Sequence, residues 1–192
     1  LEGTALRTGF LLLGVVCSAA YTWQKFVVNP ASATPWILGG GIGALIFLLV
    51  TIFFKKAAPV TATGYALCKG LALGAISARY EARFGGIVLQ AVGLTFGTLA
   101  MLLVAYVTRL IRATENFKLG VFAATAGIGL VYLATWILGF FGVQIPYIHG
   151  NGLIGIGFSA FVVTIAALSL VMDFDFIEEG VRQGAQKYMS WY

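Results

Sequence analysis

An ionisable side chain inside a long apolar run is costly in a low-dielectric setting, so it needs a partner, a path to water or a task. Three places in this chain raise that question. Lys69 lies within the apolar run 63–78, Asp173 closes the run 152–172 with Asp175 just beyond it, and Lys55 and Lys56 follow the run 36–54. A carboxylate poised between burial and a nearby cation titrates in a range a cell can use. Asp173 with Asp175 is therefore the candidate titratable site, and Lys69 or the Lys55 and Lys56 pair its candidate countercharge. The competing reading makes both aspartates interfacial and solvated, leading into Glu178 and Glu179.

Other chemistries lack residues to carry them. The stretch Gly150 to Gly155 matches a dinucleotide fingerprint by letters only, because no strand precedes it and a membrane helix follows. His149 stands alone, with no second histidine, cysteine or carboxylate at ligand spacing, and reads as a loop residue, with pH sensing as the alternative. Cys17 and Cys68 each fall inside an apolar run and read as packing thiols rather than a disulfide or metal pair. No nucleophile and base, paired-histidine motif or phosphate loop is present, so the chain reads as a non-enzyme without a cofactor.

The elements that must position these residues are set by composition. Of 192 residues 60% are hydrophobic and only 10% charged, with a mean hydropathy of +0.95. A water-soluble fold of this size cannot hide so much apolar surface, so the chain needs lipid as its second solvent. The net charge of +5 does not point to nucleic acid, because the basic residues come in ones and twos at the ends of apolar runs, where loop anchors belong. Six runs, at about 5–23, 36–54, 63–78, 86–107, 119–143 and 152–172, approach the roughly 20 residues that cross a bilayer as helix. They lack the alternation of barrel strands. The expected fold is an all-α, polytopic transmembrane helix bundle forming one membrane domain over 1–192.

Short connections join the runs. They carry Asn29, Pro30 and Pro35; Lys55, Lys56 and Pro59; Arg79, Glu81 and Arg83; Arg109, Arg112, Glu115 and Lys118; and Pro146, His149 and Asn151. Neighbouring helices are thereby antiparallel. Arg7, Lys55, Lys56, Arg109, Arg112, Lys118, Arg182 and Lys187 fall on one side, against Lys25, Arg79 and Arg83 on the other. This imbalance places the N-terminus and the segment 173–192 in the cytoplasm. Gly39 and Gly43, Gly70 and Gly74, and Gly93 and Gly97 repeat at the four-residue spacing that lets helix backbones approach closely. Trp191 and Tyr192 follow a polar stretch as an interfacial aromatic pair does, and the expectation is a seventh helix beyond them.

Three stretches carry a family resemblance. They are Lys55 and Lys56 with Gly64, Tyr65 and Ala66; Val88, Leu89, Gln90 and Ala91 with Thr95, Phe96 and Gly97; and Leu170 through Asp175, reading L-V-M-D-F-D. On these the chain resembles the Bax inhibitor family, the proteins with the transmembrane Bax inhibitor motif, in its bacterial branch. The resemblance implies a seven-helix bundle with the last helix central, associated with a pH-sensitive calcium leak. It implies that a carboxylate near the end of helix six pairs with one on helix seven, and that a basic residue at the end of helix two locks the closed form. Asp173 takes the first role and Lys55 or Lys56 the third. Lysine stands where better-known bacterial members have arginine, Lys69 stands at a position expected to be uncharged, and the second carboxylate is not in the sequence.

On this resemblance Asp173 is also the oxygen ligand for calcium, which is transported cargo rather than a cofactor. The function expected is a pH-sensitive calcium leak channel of a bacterial plasma membrane, with an organelle membrane as the alternative location. The competing function is a non-conducting regulator that binds other membrane proteins, in protease modulation or in cell-death and stress control. A secondary transporter would show inverted repeats, which are not evident.

Overall fold

A computed structural model of the chain describes residues 2–141 and 152–192. His149, Pro146, Asn151 and the start of the Gly150 to Gly155 stretch lie outside the described residues. Those described form six α-helices, α1 (Glu2–Val28), α2 (Ala33–Phe53), α3 (Ala58–Glu81), α4 (Ile87–Val107), α5 (Glu115–Phe140) and α6 (Leu153–Arg182), joined in places by short 3₁₀ turns. No strand occurs among them. All but α3 are long and apolar enough to cross a membrane. The outward-facing side chains are those that lipid accepts, Leu13, Leu38, Leu89, Leu94, Met101, Phe122 and Val163 among them.

The chain divides into two compact units, 1–93 with 179–192, and 94–178. In the first, α3 lies against both α1 and α2. A Cβ at Gly40 would come 2.7 Å from the Cys68 carbonyl oxygen and 2.8 Å from the Ala72 nitrogen, and one at Gly64 would come 2.7 Å from the Phe47 ring. Thr51 Oγ1 donates to Thr61 Oγ1 at 2.7 Å. The contacts 40 to 72, 47 to 64 and 51 to 61 run in opposite directions, so α2 and α3 are antiparallel. Gly70 abuts Val15 and Ser18, and Gly74 abuts Ala19 and Thr22. Both numbers rise together, so α1 and α3 are parallel.

This packing explains the weak hydropathy of α3. Its buried positions are Ala58, Thr61, Ala66, Gly70, Ala72, Gly74, Ala75 and Ala78, all small, and its neighbours are protein backbone on two sides. Such a helix is held by close approach and dispersion rather than by apolar bulk. Of the glycine pairs, Gly70 and Gly74 make this approach, and on α2 Gly40 and Gly43 make it while Gly39 faces nothing within 4 Å. Gly93 and Gly97 likewise have no neighbour within that distance among the described residues. Cys68 packs its sulfur against Gly43, but Cys17 is exposed on α1 and is not a packing thiol there.

In the second unit, α5 and α6 meet through Tyr132 and Phe158, whose ring centroids are 6.1 Å apart, and α4 meets α6 through Tyr106 and Phe174 at 5.8 Å. Helix α5 starts on a Thr114 cap, whose hydroxyl accepts from the Phe117 N–H at 3.3 Å. Helix α6 does not stop where its apolar run ends. It carries Asp173, Asp175, Glu178 and Glu179 in regular helix as far as Arg182, and Gly184 then turns the chain at a positive φ of 66°.

Candidate functional site

Helical geometry sorts the acidic end of α6 into faces. At about 100° per residue, positions 173 and 175 point some 200° apart, whereas 175 and 178 lie within about 60° of each other. Asp175 and Glu178 therefore share a face, and that face meets α4 and α5. Asp175 Oδ2 lies 2.8 Å from Lys118 Nζ. Tyr106 donates its phenolic hydrogen to Glu178 Oε2 at 2.6 Å. Asp173 is exposed.

Lys118 also reaches Glu115 at 3.3 Å, one turn back on its own helix, but that carboxylate is 88% exposed whereas Asp175 is 30% exposed. The longer contact to the wetter partner is screened more, so Asp175 is the partner that fixes the lysine. One residue from each of two neighbouring helices thus meets the α6 acidic face: Tyr106 from α4 reaches Glu178, and Lys118 from α5 reaches Asp175. Protonating Asp175 would remove the ion pair. Protonating Glu178 would turn its charge-assisted hydrogen bond into a weaker neutral one.

The three candidate lysines belong to the other unit. Lys69 is exposed on α3. Because α3 begins at Ala58, it stands about three turns into the helix. Lys55 and Lys56 form the 3₁₀ turn between α2 and α3, both exposed. Lys55 Nζ lies over the Tyr192 ring, 5.4 Å from its centroid. The same tail places Trp191 under the Arg7 guanidinium at 5.2 Å and edge-on to Phe10 at 6.3 Å. Arg7 further donates to the Lys187 carbonyl oxygen at 2.9 Å. The aromatic pair thus clasps the start of α1 and the α2–α3 turn.

Sequence reasoning missed Lys118, Tyr106 and Glu178 as members of one cluster. The signal was available for Lys118, since the fourth connection and the end of α6 fall on the same side of an alternating bundle. Tyr106 gave none, because a tyrosine at a helix end reads equally well as an interfacial anchor. Among the described residues no group of three or more histidine, cysteine or acidic side chains could hold a metal ion. A calcium ion at Asp173 would thus draw its other oxygens from water or backbone carbonyls.

A family model described as Bax inhibitor 1 like matches residues 1–192. The chain belongs to that family. Among curated proteins and among solved structures, nothing matches. With helices long and apolar enough to span, membership makes the chain an integral, multi-pass membrane protein and supports a role as membrane regulator or channel-like protein. The family is not known as enzymatic.

Proposed function

We propose that the protein is a pH-sensitive cation leak pathway, calcium being the expected ion, gated by carboxylates at the end of α6. The observation that carries this reading is the Lys118–Asp175 ion pair at 2.8 Å, set beside the Tyr106–Glu178 hydrogen bond. The ion pair needs an ionised carboxylate, and the hydrogen bond is stronger with one. Protonation of the two carboxylates removes the first and weakens the second, which lets the end of α6 repack against α4 and α5. Asp173, on the other face and exposed, is the carboxylate left to meet an incoming cation and to sense pH on its own account.

The test is calcium entry into vesicles reconstituted with the protein over a pH series, with Asp173→Asn, Asp175→Asn and Lys118→Gln in parallel. The reading predicts that Asp175→Asn and Lys118→Gln both shift or flatten the pH dependence, since each removes the same pair. It predicts that Asp173→Asn lowers the flux itself or its pH response. Equal flux and equal pH response in all four proteins would sink it.

A second reading, a non-conducting regulator of other membrane proteins, is favoured by one observation. Gly93 and Gly97 on α4 form the four-residue spacing that accepts a helix, and a Cβ added at either would meet nothing within 4 Å among the described residues. Absence of flux from the wild type, with a membrane protein crosslinked through α4, would decide for it.

A further inference from the structure

Beside the α3–α4 connection of the first unit, a cleft of about 320 Å³ is lined by Ile37 of α2, by Ile76, Arg79 and Tyr80 near the end of α3, and by Arg83 in the turn that follows. The cation leak makes no use of it. Its charge is unbalanced for a definite reason. Glu81, the only acidic residue between Glu2 and Glu115, sits between the two arginines, yet both of its oxygens are committed elsewhere. They accept the Gly86 N–H at 2.6 Å and the Val88 N–H at 3.0 Å, which start α4. Among the described residues neither Arg79 nor Arg83 forms an ion pair.

Two guanidinium groups on one wall, Arg79 in the last turn of α3 and Arg83 in the turn just past it, are of like charge and both favour an anion held beside them. Arginine, unlike lysine, offers a planar fork of donors that matches phosphate oxygens two at a time. Tyr80 adds a phenol at the same wall, and Ile37 and Ile76 supply an apolar one. The surroundings have the composition of a membrane–water interface. Tyr21 meets Trp36 edge-on at 5.7 Å, and Lys25 lies over Tyr21 at 5.4 Å, an aromatic and basic belt at headgroup level.

We propose that this cleft binds a phosphate group, with Arg79 and Arg83 taking its oxygens between them. The phosphate comes either from a lipid headgroup, whose glycerol and acyl carbons would lie along Ile37 and Ile76, or from free phosphate. The assignment is independent of the leak reading, since it uses none of the same residues.

The test is calorimetric titration of the full chain in an uncharged detergent with dihexanoyl phosphatidic acid and, separately, with inorganic phosphate. Binding of the lipid that falls about tenfold or more in Arg79→Gln/Arg83→Gln, but not in Arg109→Gln/Arg112→Gln, is the expected result. Tighter binding of the lipid than of inorganic phosphate identifies a headgroup site. Equal binding identifies a free-phosphate site. Arg79→Lys/Arg83→Lys keeps the charge while losing the fork, folds without a charge change, and is expected to bind severalfold more weakly. Affinity unchanged in both arginine variants, or no binding of either probe by the wild type, overturns the proposal.

Discussion

The two units hold their helices by different means. In the first, small residues bring backbones together: Gly70 and Gly74 lie directly against α1, and Gly40 against the Cys68 carbonyl and the Ala72 nitrogen of α3. In the second, close backbone approach is scarce, and the helices meet through Tyr106 and Phe174, Tyr132 and Phe158, Lys118 and Asp175, and Tyr106 and Glu178. Backbone packing is indifferent to pH and leaves no room to yield. Contacts between side-chain tips can be switched by a proton and remade in a new register. A membrane protein that needs both a fixed frame and a movable end can divide the tasks in this way.

The comparison is broken most severely by adding a side chain where backbones touch. Gly70→Leu and Gly74→Leu should each destabilise the first unit by about 1–3 kcal/mol or more, as overpacking does, read as lost thermal stability in detergent. Gly97→Leu, whose added Cβ meets nothing within 4 Å, should leave that stability nearly unchanged. If all three behaved alike, the close approach of α3 to α1 would not be what holds the frame.

Next in size are the pairs of the second unit. On the leak reading proposed above, Lys118→Gln and Asp175→Asn should perturb the pH dependence of flux by similar amounts, and the double variant by no more than either alone, because one interaction is removed in all three. Tyr106→Phe removes the hydrogen bond to the Glu178 carboxylate and should cost about 1.5–3 kcal/mol if that group is ionised, while, on the leak reading, moving the flux profile in the same direction as Lys118→Gln. Lys55→Gln, Lys56→Gln and Lys69→Gln sharpen the contrast. Any of them that alters the pH response as strongly as Lys118→Gln would carry the countercharge role expected from the sequence.

The sequence made the helices legible because lipid imposes a blunt rule, roughly 20 apolar residues per crossing, and every run but 63–78 comes near it. The run that became α3, 63–78, is the shortest of the six and carries Lys69. What the sequence did not show was why such a helix is tolerated. That answer lies in the alignment of Gly70 with Val15 and Ser18, a contact between elements that no single run contains. The same limit applies to the acidic end of α6. Asp173 and Asp175 are conspicuous in sequence, but the partner Lys118 lies in another helix, and adjacency in sequence suggested a joint site where helical geometry turns the two carboxylates to different faces. The apolar run also hid the length of α6, because a charged helix end that packs on α4 and α5 continues without hydropathy to announce it.

The smallest expected effect belongs to the joint between α3 and α4, where the first unit relies on a titratable group. The N–H groups of Gly86 and Val88 hold the Glu81 carboxyl below the usual carboxylate range, and Gly86 accepts the turn at a φ of 84°, which favours glycine. A carboxylate with a lowered folded value contributes fully above the ordinary range and loses that contribution as pH falls through the folded value. Amide hydrogen exchange at Gly86 and Val88 should therefore show less protection as pH is lowered from about 6 to about 3, after correction for intrinsic rates. Glu81→Gln should have lower protection at the upper end and no such pH dependence. The effect stays local because the carboxylate is solvent-accessible and screened. A loss of protection that spread along α3 would mean instead that the frame itself answers to pH, and the division between a fixed unit and a switchable one would fail.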